Sequence, residues 1–131
     1  MKKVFVVFSV VVSFAFLSCK GQSNSEVKNI STDEMQSLLK ADNIQLVDVR
    51  TPKEYKGGFI ANAKNIDYYS PEFDKEIKKL DKDKAVILYC HSGGRSANGA
   101  KKMLKMGFVK VYNLEGGIVE WRKKGLEIKK E

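Results

Sequence analysis

The residues most suited to chemistry are in one short segment, Cys-His-Ser-Gly-Gly-Arg-Ser at residues 90–96. Before it comes the apolar run Ala85–Tyr89, and after it come apolar residues at helical spacing from Ala97 to Leu104. A short continuous apolar run predicts a strand buried on both faces of a parallel sheet, and the later spacing predicts a helix. We therefore expect Cys90 between the carboxyl end of a central strand and the amino end of a helix, where open parallel sheets bind their ligands.

The start of a helix has free N–H groups and partial positive charge, which favour a cysteine thiolate and a bound anion. This placement predicts a nucleophile at Cys90. The alternative is a cysteine that serves only as a small buried hydrophobic residue, as is common inside apolar strands. Because Cys90 lies past the strand and is followed by glycines and an arginine, we favour the functional interpretation.

Residues 1–18 have the layout of an export signal. Lys2 and Lys3 precede an almost unbroken apolar run from Val4 to Leu17, which is too short to span a membrane comfortably. Phe16 to Cys19 resembles a bacterial lipobox, in which the signal is cut before a cysteine that becomes lipidated. We therefore expect a lipid anchor on Cys19 in a bacterial cell envelope, facing the periplasm or the exterior. The alternatives are an ordinary signal peptide cut nearby and an uncleaved anchor.

Behind this signal we expect a tether and one domain. Residues 19–27 are polar and small, which is typical of a flexible tether, and residues 28–131 are expected to fold. Cleavage before Cys19 leaves 113 of the 131 residues, enough for one domain, with 22 basic against 16 acidic residues. This excess favours small anions or an anionic membrane surface as partners. Nucleic acid is not expected, because the lysines lack interleaved aromatic residues.

The counts of cysteine and histidine exclude two kinds of site. With Cys19 lipidated, Cys90 is the remaining thiol, so no internal disulfide is expected. A single histidine, His91, together with one free cysteine cannot form a zinc site.

Strands and helices alternate along the sequence, which predicts an α/β fold with a mainly parallel sheet. Ser31 to Glu34 and Thr51 to Glu54 are capping boxes, each of which predicts a helix start. The other expected elements are strands at 44–49 and 109–114, and helices that begin after Ser70-Pro71 and after Gly116-Gly117.

These motifs in this order resemble the single-domain rhodanese family, over residues 28–128. The resemblance depends on five segments: Leu46–Arg50, Glu54-Tyr55, Phe59–Ile66, Cys90–Ser96, and Leu114–Gly117 with Trp121. It implies a five-stranded, mainly parallel sheet flanked by helices on both faces. The sequence departs from the family at Phe59, where a histidine is frequent, and at Glu127, where a proline is common.

The resemblance also implies a thiosulfate sulfurtransferase-like enzyme with Cys90 as the catalytic sulfur carrier. The Cys90 thiolate would take the outer sulfur of thiosulfate or a similar donor as a persulfide, and then pass it to cyanide or a thiol. The implied substrate-binding residues are His91, Ser92, Gly93, Gly94, Arg95 and Ser96. Their backbone N–H groups would converge on the sulfur, Gly93 and Gly94 would adopt positive φ, and Arg95 would hold the sulfonate-like end of the donor. No metal, nucleotide or organic cofactor is needed, and we expect a monomer.

Three other functions are weighed against this one. The related phosphatases use Cys-x5-Arg, with five residues between the cysteine and the arginine. Only four residues separate Cys90 from Arg95, so phosphatase activity is disfavoured. A non-catalytic rhodanese module and an envelope redox-sensing thiol remain as alternatives. Non-catalytic rhodanese modules typically lack the cysteine, whereas Cys90 is present. A redox-sensing thiol would have no second cysteine here to resolve its oxidised form.

The roles of the remaining polar residues are expected to be mostly structural. His91 is not expected to be a general base, because an ionised thiolate needs none. Asp48, Arg50 and Glu54 are expected to form a hydrogen-bond network rather than an acid–base cluster. Trp121 is expected to anchor the last helix in the core.

Overall fold

The computed structural model describes residues 26–41 and 43–131, which form a five-stranded parallel sheet with helices on both faces. The elements are β1 (Lys28–Ile30), α1 (Thr32–Leu39), β2 (Ile44–Asp48), α2 (Pro52–Lys56), β3 (Lys64–Asn65), α3 (Phe73–Ile77), β4 (Ala85–Tyr89), α4 (Gly94–Lys105), β5 (Val111–Leu114) and α5 (Gly117–Lys123). The strand order is β1-β5-β4-β2-β3, and all pairs are parallel. The predicted fold class is confirmed.

Several boundaries differ from those expected. The edge strands β1 and β3 have only three and two residues, and sequence reasoning did not identify either. Strand β5 begins at Val111 rather than Val109, whose side chain is 63% exposed. Helix α3 begins at Phe73, because Ser70 and Pro71 form a turn in which the Ser70 hydroxyl accepts the Glu72 N–H.

Two apolar layers cover the two faces of the sheet. Helices α3 and α4 pack on one face through Phe73, Ile77, Ala100 and Met103. Helices α1 and α5 pack on the other through Met35, Ile118 and Trp121, and the partly buried Tyr55 of α2 joins them. Trp121 is 6% exposed and donates its indole N–H to the Glu127 carbonyl oxygen, which confirms its role as a core anchor.

The strand order places a crevice between β2 and β4. From β2 the chain passes through α2 to β3 in one direction, and from β4 it passes through α4 to β5 in the other. Because α2 and α4 lie on opposite faces, the carboxyl ends of β2 and β4 form the point where ligands bind in open parallel sheets. Cys90 and Glu54 both follow these strand ends.

Both capping boxes are present as predicted. The Ser31 and Thr51 side chains accept the N–H groups of Glu34 and Glu54, whose carboxylates accept the cap N–H groups in return. The predicted signal, the lipidation residue Cys19 and the tether up to residue 25 lie outside the described residues. Within residues 26–41 and 43–131, no helix combines the length and apolar character needed to cross a membrane.

Candidate active site

Cys90 lies directly after β4, at the sheet edge predicted from the sequence. The last residue of β4, Tyr89, pairs with Asp48 of β2, and its carbonyl oxygen accepts the Val49 N–H at 3.0 Å. Cys90 is only 1% exposed, so its thiol lies at the bottom of the crevice rather than on the surface.

The amino end of α5 holds the main chain of the cysteine in place. The Ile118 N–H donates to the Cys90 carbonyl oxygen at 3.0 Å, and the Val119 N–H donates to that of His91 at 3.2 Å. Gly117 permits this close approach. Its φ is +57°, and a Cβ there would overlap the His91 carbonyl oxygen and lie 2.6 Å from that of Cys90.

One glycine, not two, makes the turn of the active loop. Gly93 has φ of +109° and caps α4, which brings its N–H to 3.1 Å from the Cys90 Sγ. Gly94 is the first residue of α4 and has no positive φ, so the expectation that both glycines need one was wrong for Gly94. A Cβ at Gly94 would meet no atom within 4 Å. The helix geometry itself turns the chain after Gly93.

Several hydrogen-bond donors converge on the Cys90 sulfur. Burial raises the pKa of this thiol, but the Ser96 hydroxyl and the backbone N–H groups of Ser96, Gly93 and Ser92 outweigh burial and lower the pKa below its ordinary value. Hydrogen bonds to the charged form favour that form, and the start of α4 adds its partial positive charge. The loop therefore favours the thiolate form of Cys90 over what burial alone would allow.

The Ser96 hydroxyl lies between two acceptors. It is 3.3 Å from the Cys90 Sγ and 2.6 Å from the Asn113 Oδ1. The Asn113 amide nitrogen in turn donates to the Asn29 Oδ1 at 3.1 Å and to the Gly93 carbonyl oxygen at 3.4 Å. The sequence analysis did not identify Asn113. The available signal was a polar residue in β5, two positions after Val111 and on the same side of the strand.

Arg95 points at a carboxylate across the crevice. Its two terminal nitrogens donate to the two carboxylate oxygens of Glu54 at 2.8 and 2.9 Å. The guanidinium also lies over the ring of Tyr69, 5.5 Å from its centre, and Tyr69 is 68% exposed. The hydrogen bonds from Arg95 are the largest influence on Glu54 and lower its pKa to about 2. The ion pair thus joins α2 to α4 above the sheet edge.

The other residues predicted to bind substrate surround the buried thiol. His91, Ser92 and Gly94 are exposed, Gly93 is half-buried and Ser96 is fully buried. The predicted segment is therefore a short loop, residues 90–93, followed by the first turn of α4; the Cys90 sulfur and the Ser96 hydroxyl are buried, and the side chains of His91 and Ser92 are in solvent. His91 is exposed, and the expectation that it does not act as a general base stays a prediction.

The expected network of Asp48, Arg50 and Glu54 is divided in two. The Arg50 Nη2 donates hydrogen bonds to the Asp48 carboxylate at 2.6 Å and to the Gly58 carbonyl oxygen at 2.7 Å. Asp48 and Arg50 are 0% and 3% exposed, so this pair is closed to solvent. Glu54 instead belongs to the cap of α2 and to Arg95.

In the part of the chain that the structure describes, no group of three or more His, Cys, Asp or Glu side chains is placed to hold a metal ion. Cys90 is a free thiol. The described residues at this site provide a buried thiol whose charged form is favoured by N–H and O–H donors, and an arginine that is paired with Glu54.

Comparison with known proteins places this site in a family. Residues 31–124 match the family model described as a rhodanese-like domain. A sulfurtransferase of Allochromatium vinosum is 33% identical over 103 residues, which cover 78% of this chain and 94% of that protein. The thiosulfate sulfurtransferase GlpE of Coxiella burnetii is 35% identical over 95 residues, covering 72% and 87% respectively.

A solved structure agrees with these relatives. The rhodanese-related protein of Thermoplasma volcanium superposes with a TM-score of 0.70 at 32% identity, over 79% of this chain and 99% of that one. The chain belongs to the rhodanese-like domain family, with relatives that are named sulfurtransferases.

Proposed function

We propose that this protein is a sulfurtransferase that carries a sulfane sulfur on Cys90. The observation that supports this function most strongly is the set of donors around the Cys90 Sγ, which lower the pKa of a buried thiol. Such a thiolate is ready to attack without a separate base.

The proposed reaction has two steps. The Cys90 thiolate attacks the outer sulfur of thiosulfate, so that a sulfur–sulfur bond forms at Cys90 while the bond inside the donor breaks and sulfite departs with its electron pair. The negative charge is then on the outer sulfur of the Cys90 persulfide. Cyanide or a thiolate attacks that sulfur, leaves as thiocyanate or a persulfide, and restores the Cys90 thiolate.

The burial of Cys90 favours donors with a terminal sulfur atom. Because the residue is 1% exposed, a donor needs to bring only that one atom to the bottom of the crevice. Thiosulfate has this shape, and it is the donor named for the relative from Coxiella burnetii. The same shape is found in small persulfides, which are the second candidate donors.

Arg95 is the proposed contact for the sulfonate-like end of the donor. A guanidinium has five N–H donors, and the fork to Glu54 uses two of them. The remaining N–H groups stay available to an anion at the loop, while Glu54 and the ring of Tyr69 hold the guanidinium in place.

Two alternative functions differ from this one in a measurable way. A non-catalytic binding module would bind a sulfur species without turnover. A redox-sensing thiol would be oxidised reversibly but would not release sulfite from thiosulfate. The completeness of the Cys90 loop supports the enzyme, since the donors around the sulfur are arranged for a charged sulfur atom.

The test is thiocyanate formation from thiosulfate and cyanide by the purified protein. Cys90→Ser should abolish turnover while leaving the urea midpoint nearly unchanged, because the swap is close in volume. Cys19→Ser is the matched control, since it removes the other cysteine and should leave turnover per molecule unchanged. Comparable turnover in the Cys90 variant would contradict the proposal.

We also propose that the domain is anchored to a bacterial envelope membrane by lipid on Cys19. The support is the sequence from Phe16 to Cys19 behind its apolar run. Cys19→Ala should convert a protein that incorporates labelled fatty acid into one that does not. Wild-type protein that carries no label would contradict the anchor and favour plain export.

A further inference from the structure

The Ser96 hydroxyl has one proton to donate and lies near two acceptors, which compete for its hydrogen bond. The Asn113 Oδ1 is 2.6 Å away and the Cys90 Sγ is 3.3 Å away. A hydroxyl donates to one acceptor at a time. The short oxygen–oxygen distance favours donation to Asn113 when the sulfur is neutral, whereas a thiolate is a strong acceptor that competes for the same proton.

The orientation of the Asn113 amide is fixed by its surroundings. Its nitrogen faces the Gly93 carbonyl oxygen at 3.4 Å, which can only accept a hydrogen bond. It also faces the Asn29 Oδ1 at 3.1 Å, and Asn29 pairs with Asn113 in the register of β1 and β5. The Oδ1 therefore faces Ser96. Since Asn113 is 5% exposed, water does not readily replace these partners.

We propose that Asn113 is a positioning residue that acts through Ser96: its Oδ1 accepts the hydrogen bond of the Ser96 hydroxyl in one half of the sulfur-transfer cycle, and the hydroxyl turns to the Cys90 Sγ in the other. The proposal rests on the proposed sulfurtransferase function. It adds Asn113 of β5 to the site. It also assigns the Ser96 hydroxyl two orientations, one towards Asn113 and one towards Cys90.

The movement of charge during the reaction explains the two orientations. In the resting protein the negative charge is on the Cys90 Sγ, which then attracts the hydroxyl. In the persulfide the charge is on the outer sulfur and Sγ is neutral, so the hydroxyl turns to the Asn113 Oδ1. When the acceptor removes the outer sulfur, Sγ becomes charged again and the hydroxyl returns. Only a rotation of the hydroxyl is needed, with no change of bonds in Ser96 or Asn113.

Replacing Asn113 by leucine leaves the charged groups near the thiol in place. The hydrogen bonds and charge of Glu54, and to a smaller extent the charge of a Cys90 thiolate, raise the pKa of Arg95. Arg95 remains paired with Glu54, and His91 is exposed to solvent. A shift caused by Asn113 can therefore be assigned to the hydroxyl that it contacts.

The test is the pH dependence of iodoacetamide alkylation at Cys90 in the purified full chain. Mass spectrometry of the tryptic peptide 85–95 separates this thiol from Cys19. Asn113→Leu should move the midpoint to lower pH by about half to one unit, because the thiol form loses the hydrogen bond from Ser96 to Asn113. Asn113→Asp should move it to higher pH, because a carboxylate holds the proton more strongly and repels the thiolate.

Asn113→Leu should also change the transfer steps in opposite senses. A thiolate whose pKa falls by one unit is about threefold less nucleophilic, so attack on the donor by the fully ionised thiol should slow by about that factor. Discharge of the persulfide to cyanide should become faster, because a thiol of lower pKa is the better leaving group.

Two further variants separate positioning from structure. In the Ser96→Ala background, Asn113→Leu should no longer shift the alkylation midpoint. Asn65→Leu is the matched control. It removes a partly buried amide that donates to the Asp48 and Arg50 carbonyl oxygens, so it should lower the urea midpoint without shifting alkylation.

An unchanged or raised midpoint in Asn113→Leu would overturn the proposal, as would a shift that persists without the Ser96 hydroxyl. If Asn113→Leu does not fold, the nearly isosteric Asn113→Asp is compared in the wild-type and Ser96→Ala backgrounds: its upward shift should be larger where the Ser96 hydroxyl is present, and equal shifts would overturn the proposal. Alkylation requires no sulfur donor, so the proposal for Asn113 and the sulfurtransferase function can fail independently.

Discussion

The loops after β2 and β4 leave neighbouring parallel strands at the same sheet edge, where Asp48 pairs with Tyr89. Each loop leads into a helix, and an arginine lies in the first loop (Arg50) and in the first turn of the helix after the second (Arg95). In the loop after β2, Arg50 donates to Asp48 and to the Gly58 carbonyl oxygen, and both side chains are buried. In the loop after β4, the donors converge instead on a single sulfur atom.

The difference lies in what balances the buried negative charge. The Asp48 carboxylate has a full cation beside it and is closed to solvent. The Cys90 sulfur has N–H and O–H donors, while Arg95, in the first turn of α4, is directed towards Glu54. A pair of opposite charges is neutral and inert. A thiolate held by dipoles keeps its charge and its reactivity, so the second loop is suited to chemistry and the first to stability.

Arg50→Ala should give the largest loss of stability, since it leaves a buried carboxylate without its cation. Breaking such a pair typically costs about 3–5 kcal/mol, measured here by urea unfolding. The exposed pair of Lys75 and Glu72 provides the control, and Lys75→Ala should cost less than about 1 kcal/mol. A loss of similar small size for Arg50 would remove the contrast between the loops.

Gly117→Ala should be the next largest effect. A side chain at φ of +57° is strained and would press on the carbonyl oxygens of Cys90 and His91. We expect a loss of about 2–4 kcal/mol in urea unfolding. The control is Gly94→Ala, which has open space and helical backbone and should stabilise by about 0.4–1 kcal/mol. Equal effects at the two positions would contradict the described loop geometry.

Arg95→Ala should mainly raise the KM for thiosulfate. It removes the proposed charge-assisted contact to the sulfonate-like end of the donor, which would be worth on the order of 1.5–3 kcal/mol, or about ten- to a hundredfold in kcat/KM. Arg95→Lys should recover part of the loss as a point charge without the fork. If the kinetics were unchanged, Arg95 would serve only to hold Glu54, and small persulfides, which have no sulfonate-like end, would become the preferred donors.

Glu54→Gln should have the smallest effect on the free energy of unfolding, and the size of this effect should depend on pH. Arg95 lowers the pKa of Glu54 to about 2 in the folded protein, below the ordinary value of 4.5. The charged carboxylate therefore adds stability that is fully present above pH 4.5 and is lost as the pH falls towards 2. The difference in unfolding free energy between wild type and variant should follow this course. A difference that is constant over this range would contradict the ion pair.

Local sequence signals predicted the parts of the fold that depend on neighbours in the chain. The apolar run before Cys90 predicted β4, and the capping boxes at Ser31 and Thr51 predicted two helix starts. Strands β1 and β3 were not predicted, because three and two mostly polar residues carry no periodic pattern. Their pairing with longer strands decides their conformation.

The sequence predicted which residues form the loop of the site, but not the contacts that they make with distant parts of the chain. The sequence indicated Cys90 and its loop, because these residues are contiguous. It did not indicate that Arg95 meets Glu54, 41 positions away, or that Ser96 meets Asn113, because such contacts depend on how α2, α4 and β5 meet. The polar Asn113 within an otherwise apolar strand was the available signal.

The most direct test of the account is the mass of the Cys90 peptide after treatment with thiosulfate. We predict one added sulfur atom on the tryptic peptide 85–95, release of sulfite in equal amount, and loss of that sulfur when cyanide is added. The Cys90→Ser protein should show no such addition. Turnover of thiosulfate by the wild type with no sulfur ever attached to Cys90 would contradict the account.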